Sequence, residues 1–370
     1  MHWKDENLNT IGNTVLSTLD SIQDIRSLDP GNMYNRIFDF PEQLTDAQKI
    51  SAAWKIDAQG FAGIKNIVVI GMGGSAIGGD LVRSLLANKL LVPFQVCRNY
   101  VLPEYVDDET LVIASSYSGN TEETLSAVED ALGRKALMVA ITTGGLLEDV
   151  AKLNDIPYIK IPGGLQPRAA LGYSFVPLLL FFEKIGLVKG LSAQLTAAIA
   201  RIQKTREQFI EDLPTEKNPA KRLAAQIIGK IPVVYAGPTL SDVVAVRWKG
   251  QLCENGKNLA FANTYPEFNH NELVGWSETI ASHKEHLIVI QLRDSDDHPK
   301  VSRRMDTVRG IIEKQGIKVV EFQSVGSNSL ERMLSLIQMG DFVSYYLAIL
   351  NGVDPTPVEA IETLKKELGK

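Results

Sequence analysis

The chain has 370 residues, of which 45% are hydrophobic and 22% charged, and its formal net charge at pH 7 is −6. This length predicts two domains, and this composition is typical of globular proteins that fold without disulfides or structural metals. The acidic balance argues against a nucleic-acid-binding surface, which would need clustered Lys and Arg, so an anionic substrate must be bound by local groups.

The first predicted elements are helices. Within residues 1–60, Ile22, Ile25 and Leu28 lie near helical spacing, which predicts a helical arm that packs on the first domain. From residue 65 onward, short β-branched runs alternate with helical segments, and this alternation predicts a parallel, doubly wound sheet. The predicted strands of the first half lie at 67–70, 94–97, 111–114, 137–141 and 158–161.

A second series of the same kind follows, so the predicted fold class is α/β with two doubly wound parallel-sheet domains. Its strands are predicted at 233–236, 287–291 and 319–322, and its helices at 241–253, 300–315 and 330–350. The charged stretch 187–222 predicts connecting helices, which gives an N-terminal arm at 1–60 and domains at 61–190 and 191–370. Asp354 is the predicted N-cap of a C-terminal helix, with Pro355 as its first residue.

A glycine-rich turn, GMGGSAIGG, follows the first predicted strand and leads into a helix. Glycines let backbone N–H groups approach an anion closely, and the start of a helix supplies unpaired donors and partial positive charge. Gly74 and Ser75, at this helix start, are therefore candidate substrate-binding residues. A turn that needs its glycines only for backbone conformation remains the alternative.

The same turn also matches a weak dinucleotide-binding pattern, G-x-G-x-x-A, through Gly71, Gly73 and Ala76. The acidic ribose ligand expected after the second strand is missing. Arg98 follows that strand instead and suits the 2′-phosphate of NADP. An NADP site therefore stays open as an alternative.

Hydroxyl residues cluster after the strand predicted at 111–114, in the sequence SSYSGNTEET. Ligands of open α/β sheets bind at the carboxyl ends of the strands, where Ser116, Ser118 and Thr121 can donate hydrogen bonds to a phosphate. Helix capping by Ser118 or Thr121 would explain one or two of these hydroxyls without a ligand. Hydroxyls on two successive turns favour phosphate.

The cysteines and paired histidines predict no metal site. Cys97 and Cys253 are far apart and form no C-x-x-C pair, so we expect reduced thiols and a cytoplasmic protein. His283 and His286 form H-x-x-H without an apparent third ligand, and we interpret them as surface residues. We expect no membrane partner, because the N-terminus lacks an apolar signal core and the apolar run at 176–182 is too short to span a bilayer.

Five motifs together resemble one enzyme family. SSYSGNTEET resembles the phosphate loop of the SIS (sugar isomerase) domain, and GMGGSAIGGDL is similar to the first loop of the bifunctional phosphoglucose/phosphomannose isomerases. QPRAALGYS, CENGKN and PEFNHNELVGW agree, so the resemblance extends from about residue 60 to the end. It implies two SIS domains, a homodimer, and metal-independent interconversion of aldose and ketose 6-phosphates without a cofactor.

The resemblance also implies the residues that transfer protons. Isomerisation between C1 and C2 needs a base, and by chemistry alone Glu254 is one of 44 acidic residues, at a helix end that Gly256 is expected to stop. The family's E-N motif identifies Glu254 as the base that forms a cis-enediol. The family likewise assigns His270 to ring opening, from the partner subunit, with Glu267 and Glu272 as rival acids in the same loop.

Three further residues are candidates for substrate contact. Arg168 can anchor substrate hydroxyls or stabilise the charge of an enediolate. Its alternative role is a salt bridge at a helix start near Ala169. Lys365 resembles a family lysine that acts near O1 or O5, although Lys366 is adjacent, and Thr356 is predicted to shape the pocket at C2.

Three functions are compatible with these features. The leading one is a sugar-phosphate isomerase that acts on fructose 6-phosphate with glucose 6-phosphate, mannose 6-phosphate or both. An NADP-dependent oxidoreductase is the first alternative. A non-catalytic sugar-phosphate sensor is the second, although no helix-turn-helix module is evident and Glu254 and His270 would then be superfluous.

Overall fold

The computed structural model describes residues 17–368. The described chain divides into two compact units, each built around a parallel sheet. The first-sheet unit comprises residues 39–201 and 326–331, and the second-sheet unit comprises residues 17–38, 202–325 and 332–368. Two parallel sheets with flanking helices confirm the predicted α/β fold class, whereas the domain boundaries at 60 and 190 stay predictions.

The helices alternate with the strands along most of the described chain. The α-helices are α1 Ile22–Ser27, α2 Met33–Phe38, α3 Phe40–Ala53, α4 Gly73–Leu86, α5 Glu122–Gly133, α6 Gly145–Leu153, α7 Leu171–Lys184, α8 Leu191–Thr205, α9 Pro219–Ile227, α10 Ser241–Glu254, α11 Pro299–Lys314, α12 Ser329–Leu350 and α13 Glu359–Leu368. Short 3₁₀ turns lie at Ala58–Phe61, Pro167–Ala169, Arg206–Gln208, Glu267–His270, Glu272–Gly275 and Glu278–His286.

The strands form two sheets in which every pairing is parallel. They are β1 Asn66–Ile70, β2 Phe94–Cys97, β3 Thr110–Ser116, β4 Leu137–Thr142, β5 Tyr158–Lys160, β6 Ile231–Ala236, β7 Phe261–Thr264, β8 Leu287–Arg293 and β9 Lys318–Gln323. The first sheet has the order β2-β1-β3-β4-β5 and the second the order β7-β6-β8-β9. The strands that sequence patterns predicted are therefore all present.

The central strands form because their side chains are buried on both faces. All seven residues of β3 are buried, and Val68, Ile70, Val112 and Met138 belong to one apolar cluster beneath the flanking helices. A strand covered on both sides gains stability from every apolar side chain, which is why such strands are continuous β-branched runs. This arrangement brings the carboxyl ends of β1 and β3, which are neighbours, to one edge of the sheet.

Helices α1 and α2 belong to the second-sheet unit, whereas α3, the longest described helix of the predicted arm, belongs to the first-sheet unit. The buried Lys221 donates a hydrogen bond from Nζ to the carbonyl oxygen of Leu19 at 2.5 Å. Asp20 accepts hydrogen bonds from the N–H and hydroxyl groups of Thr215 at 2.7 and 2.8 Å. These polar contacts, at long sequence separation, hold residues 17–38 to that unit.

Helix α12 is apolar and largely buried. It is the one helix of the described chain that is long and apolar enough to cross a membrane by length and composition. However, 89% of its most apolar 18-residue window is buried inside the protein. Its polar residues also have partners there, because the Asp341 carboxylate pairs with Arg247 at 2.7 Å.

The C-terminal helix begins later than predicted. α13 starts at Glu359, not at Pro355, and the Asp354 carboxylate accepts the N–H of Thr356 at 2.8 Å in a local turn. Pro355 and Pro357 explain the delay, because a residue that precedes proline disfavours the helical conformation. The prediction of a terminal helix was right, and the predicted cap was wrong.

Candidate active site

The glycine-rich turn after β1 brings three segments of the first-sheet unit together. A Cβ atom at Gly71 would lie 2.7 Å from the carbonyl oxygen of Ser115, and one at Gly74 would lie 2.7 Å from that of Pro167. Gly73, the first residue of α4, has a φ of +49°, which L side chains rarely adopt. The glycines are therefore required both for conformation and for close packing.

Ser75 joins the glycine-rich turn to the serine loop that follows β3. The backbone N–H of Tyr117 donates to Ser75 Oγ at 3.0 Å, and Ser115 Oγ donates to the Ser75 carbonyl oxygen at 3.3 Å. The Ser75 side chain is only 6% exposed. Its hydroxyl accepts a hydrogen bond in this contact and keeps its own proton for donation.

The serine loop, residues 115–121, holds its hydroxyls close together. Ser116 Oγ lies 3.0 Å from Thr121 Oγ1, and the Gly119 N–H donates to Ser116 Oγ at 3.2 Å. Thr121 occupies the N-cap position of α5, yet its side chain makes no capping hydrogen bond to the described backbone. Ser118, which is exposed, accepts the N–H of Asn120 at 3.2 Å in a local turn.

The neighbouring turn after β4 supports the serine loop. Gly119 has a φ of +70°, and a Cβ atom there would lie 1.8 Å from the carbonyl oxygen of Gly144. Asn120 Oδ1 accepts the N–H of Leu146 at 3.0 Å. The turn after β4 therefore holds the serine loop in place. The starts of α4 and α5 both lie at the carboxyl edge of the first sheet.

Arg168 lies in the 3₁₀ turn that contacts the glycine-rich turn, and it is only 4% exposed. Helix α7 begins after this turn at Leu171, slightly later than the predicted start near Ala169. Ser174 Oγ donates to the Gly74 carbonyl oxygen at 3.3 Å, which fixes α7 against the first loop. The structure thus brings Gly74, Ser75 and the segment of Arg168 together.

Arg98 is engaged with another residue of the same unit. Its guanidinium forms an ion pair with Asp80, a residue of α4 that also contacts Arg83 at 3.8 Å. Binding the 2′-phosphate of NADP would require this guanidinium to leave Asp80. The geometry therefore gives the dinucleotide alternative no support.

Glu254 is the last residue of α10, a helix held along its length by α12. The buried Asp341 pairs with Arg247 at 2.7 Å and accepts from Gln251 Nε2 at 2.9 Å, and Trp248 Nε1 donates to a backbone carbonyl of α12 at 2.9 Å. Burial raises the pKa of the Asp341 carboxyl, while Arg247 acts in the opposite direction. These contacts fix the helix end and hence the position of Glu254.

Lys257 is in the left-handed conformation after α10, with a φ of +51°, whereas Gly256, which was predicted to stop the helix, has no positive φ. Glycine is needed at position 256 for space. A Cβ atom there would lie 2.7 Å from the Leu252 carbonyl oxygen and 3.2 Å from Leu347 Cδ2. The glycine therefore permits packing beside the helix end and does not itself reverse the chain.

Lys257 connects the end of α10 to the proline-rich segment that precedes α13. Its Nζ donates to the carbonyl oxygens of Glu254 at 2.6 Å, Pro357 at 2.7 Å and Pro355 at 3.4 Å. A cleft of about 620 Å³ opens beside this junction. It is lined by Cys253, Glu254, Lys257, Val353, Asp354, Pro357, Val358, Glu359, Ala360 and Ile361.

The remaining C-terminal candidates are Thr356, Lys365 and Lys366. Gly31 packs against Thr356, because a Cβ atom at Gly31 would lie 2.2 Å from Thr356 Oγ1. Lys365 and Lys366 are both exposed on α13, and neither lines the cleft beside Glu254. The assignment of a lysine to the site stays a prediction.

His270 is exposed at the end of a 3₁₀ turn in which Phe268 is the buried residue. Phe268 is fully buried and stacks on Tyr235 with ring centroids 4.0 Å apart. Trp276 Nε1 donates to the Tyr235 hydroxyl at 2.8 Å. Phe268 and Trp276 therefore hold the loop in place through their contacts with Tyr235. The His270 imidazole lies at the surface of the second-sheet unit.

The two rival acids of this loop have structural partners. Glu272 accepts hydrogen bonds from the Tyr235 hydroxyl and from Asn263 Nδ2, and Glu267 accepts one from Asn271 Nδ2 at 3.0 Å. Burial raises the pKa of Tyr235 well above its ordinary value, and the Glu272 carboxylate raises it further. Glu272 thus fastens the loop to a protonated, buried tyrosine.

Among residues 17–368, no group of three or more His, Cys, Asp and Glu side chains is arranged to hold a metal ion. His283 and His286 are exposed in the 3₁₀ turn before β8, as their interpretation as surface residues predicted. Cys97 and Cys253 are both free thiols.

Two family models match the chain in sequence. The SIS domain model covers residues 60–156, and the model described as the bacterial phospho-glucose isomerase C-terminal SIS domain covers residues 216–368. The first match contains both the glycine-rich turn and the serine loop. The second contains Glu254, His270 and the C-terminal helix.

Several sugar-phosphate isomerases are similar to this chain in sequence or in fold. The bifunctional phosphoglucose/phosphomannose isomerase of Caldicellulosiruptor bescii is 44% identical over 91% of this chain and 99% of its own length. The protein of the same name from Aquifex aeolicus is 37% identical over 86% of this chain and 94% of its own length. Tagatose-6-phosphate ketose/aldose isomerase from Escherichia coli has a similar fold, with a TM-score of 0.70 at 15% identity over 87% of this chain and 94% of that one.

These similarities confirm the prediction of a sugar-phosphate isomerase, and neither the oxidoreductase nor the sensor alternative is favoured. The two family-model matches include the glycine-rich turn, the serine loop, Glu254, His270 and Lys365, and the relative from Caldicellulosiruptor bescii matches 91% of the chain. The chain belongs to the family of bifunctional phosphoglucose/phosphomannose isomerases.

Proposed function

We propose that this chain interconverts fructose 6-phosphate with both glucose 6-phosphate and mannose 6-phosphate, without a metal or cofactor. The observation that carries the proposal is the position of Glu254 at the fixed end of α10, in an open cleft of about 620 Å³. A base at a rigid helix end can hold one position relative to two neighbouring carbon atoms, as proton transfer between them requires. The 44% identity with a bifunctional isomerase supports this choice of substrates.

The phosphate group binds at the serine loop and the glycine-rich turn in this proposal. Ser116, Ser118 and Thr121 donate hydroxyl hydrogen bonds, and Gly74 and Ser75 contribute from the start of α4. The 3.0 Å separation of Ser116 Oγ and Thr121 Oγ1 supports a shared oxygen ligand. Helix starts add unpaired N–H donors and partial positive charge, which favours an anion in a protein whose net charge is −6.

Glu254 then removes the proton from C1 of the open-chain ketose, while the hydroxyl proton passes from O1 to O2. Because Glu254 holds the C1 proton, the product of the first step is the anion of a cis-enediol, and the glutamic acid then donates a proton to C2. Rotation of the intermediate about its C2–C3 bond presents one or the other face of C2 to Glu254, so the donated proton gives the glucose or the mannose configuration. Arg168 stabilises the negative charge that develops on the enediolate oxygens.

Ring opening precedes proton transfer, and we assign it to His270 with help from Lys365. A histidine transfers protons readily near neutral pH. The exposure of His270 on an anchored loop suits donation to a second copy of the chain. We therefore propose a homodimer in which each active site receives His270 from the partner subunit, and the free thiols of Cys97 and Cys253 suit a cytoplasmic enzyme.

Steady-state kinetics with each aldose phosphate test this function. In the presence of a chelator, we expect conversion of both glucose 6-phosphate and mannose 6-phosphate to fructose 6-phosphate, because the proposed steps use only side chains. Coupled assays measure the ketose that is formed. Absence of exchange among the three sugar phosphates would refute the proposal, and loss of activity with the chelator alone would refute its metal independence.

A further inference from the structure

A second cavity, of about 550 Å³, lies in the second-sheet unit beside strand β9. It shares no lining residue with the cleft beside Glu254. Its walls come from the chain between α8 and α9, from β9 and from α12, and they include Phe209, Leu213, Lys217, Arg222, Gln226, Val320, Phe322, Leu336 and Met339.

The cavity lies beside β9, an edge strand of the second sheet among the described strands. In the first sheet, β4 pairs with a further strand, β5, whereas β9, its counterpart in the second sheet, pairs only with β8 among the described strands. The space beyond β9 is bounded instead by apolar side chains, of which Phe209, Leu336 and Met339 are 6%, 2% and 5% exposed. Burial of apolar ligand surface against such walls favours binding.

The charges at the cavity leave an excess of cations. Two acidic residues line the cavity, and both have cationic partners: Glu207 pairs with Arg206 at 3.6 Å, and Glu321 pairs with Arg293 and Arg309, each at 2.7 Å. Lys217 and Arg222 also line the cavity, and neither forms an ion pair with any residue between 17 and 368. Two unpaired cations beside an apolar wall attract a ligand that carries an anionic group.

One buried polar atom also lacks a partner. Gln226 Oε1 is inaccessible to solvent and accepts no hydrogen bond from the described residues. A buried acceptor without a donor costs about 1–3 kcal/mol. The Gln226 side chain lines the cavity, and rotation of its amide would let an N–H or O–H group of a ligand reach this acceptor.

We propose that this cavity is a second small-molecule site, for an amphipathic anion. The ligand has an apolar body against Phe209 and Met339, one anionic group facing Lys217 and Arg222, and a hydrogen-bond donor for Gln226. The cavity volume lies within the range of about 300–1,000 Å³ that is usual for small-molecule sites. This site is independent of the proposed isomerase reaction.

The test uses two fluorescent probes of the same shape with the full-length chain. 8-Anilinonaphthalene-1-sulfonate has an apolar body, one anionic group and one N–H donor, and N-phenyl-1-naphthylamine lacks only the sulfonate. We expect saturable binding of one sulfonate probe per chain, unaffected by saturating fructose 6-phosphate. The double variant Lys217→Gln/Arg222→Gln should bind the sulfonate probe about tenfold more weakly, because two partly exposed charges are lost.

The uncharged probe distinguishes the contribution of the anionic group to binding from that of the apolar body. Its affinity should change less than about twofold in the double variant, because that variant leaves the apolar walls intact. The matched control, Lys300→Gln/Lys314→Gln, removes two exposed lysines of α11 and should bind both probes as the unmodified chain does. Failure to bind the sulfonate probe, its displacement by fructose 6-phosphate, or equal weakening of both probes would overturn the proposal.

Discussion

At the scale of single residues, Lys257 is the one that sequence reasoning missed. Its ammonium donates to three backbone carbonyls, at the end of α10 and in the proline-rich segment. Hydrogen bonds from a charged donor are worth about 1.5–3 kcal/mol each. We therefore infer that Lys257 positions Glu254, although it has no role in proton transfer itself.

Replacement of this lysine should affect turnover more than binding. In Lys257→Met the end of α10 loses its connection to the segment before α13, and we expect kcat to fall by about tenfold, because small misplacement of a catalytic group is costly. KM should stay within about twofold. Lys257→Arg should recover part of kcat, and Lys300→Met, at an exposed site, should match the unmodified enzyme. Unchanged kcat, or an equal rise in KM, would remove Lys257 from this role.

The sequence predicted the residues proposed to bind substrate better than the residues that hold them in position. Ser116 and Thr121 follow a strand as hydroxyl residues, so their cluster was visible as a pattern, and the structure brings them together. Lys257 carries no such pattern, because its partners are backbone carbonyls about 100 residues away. The left-handed conformation at Lys257 was missed for a related reason, since Gly256 beside it is the residue that usually adopts it.

At the scale of elements, the loop between β3 and α5 is proposed to bind the phosphate group. Ser116→Ala/Thr121→Ala removes two hydroxyl donors, so we expect KM for fructose 6-phosphate to rise by about tenfold or more, at about 1 kcal/mol for each lost hydrogen bond. The control Ser126→Ala removes a hydroxyl of α5 that contacts the Tyr100 carbonyl oxygen instead. An unchanged KM in the double variant would exclude the loop as the phosphate site.

The matching edge of the second sheet has a different character. Acidic residues, Asp294 and Asp297, follow β8 there, where hydroxyl residues follow β3 in the first sheet. Burial raises the pKa of Asp297 to about 6, although the hydrogen bond that it accepts from the Asp294 N–H acts in the opposite direction. Carboxylates repel a phosphate group, which is consistent with phosphate binding at the first sheet alone.

Elements with a strong pattern were predicted well, and those without one were missed. The buried strands of both sheets are continuous apolar runs, so their sequence identified them. Strand β7, Phe261–Thr264, lies at a sheet edge with Phe261 52% exposed, and its sequence FANT has neither alternation nor an apolar run. Its pairing with β6, and not its own sequence, makes it a strand.

At the scale of the whole molecule, the chain does not divide at simple boundaries. Residues 17–38 and 202–325 belong to one compact unit although 163 residues of the other unit, 39–201, separate them in sequence. Amphipathic spacing identified the N-terminal helices but carried no information about which sheet they contact. That choice depends on Lys221 and Thr215, which bind Leu19 and Asp20 across the sequence.

The proposed dimer makes a prediction about mixed subunits. A Glu254→Gln subunit retains His270, and a His270→Ala subunit retains Glu254, so one of the two sites in a mixed dimer has both residues. Random exchange makes half of the dimers mixed, and the mixture should regain roughly one quarter of wild-type activity. Mass spectrometry checks that exchange has occurred. If exchanged dimers are no more active than the separate variants, the histidine does not cross between subunits.

Isotope exchange in D₂O tests whether Glu254 transfers a proton between C1 and C2. The enzyme is incubated with fructose 6-phosphate, and NMR follows deuterium in substrate and products. Because the cleft is open, the proton held by Glu254 exchanges with solvent in part of the turnovers, so we expect partial incorporation of deuterium at C2 of both aldose phosphates and at C1 of the remaining ketose. Glu254→Gln should slow this exchange by about 10²-fold or more. Conversion without any deuterium uptake, or unchanged exchange in Glu254→Gln, would contradict the account.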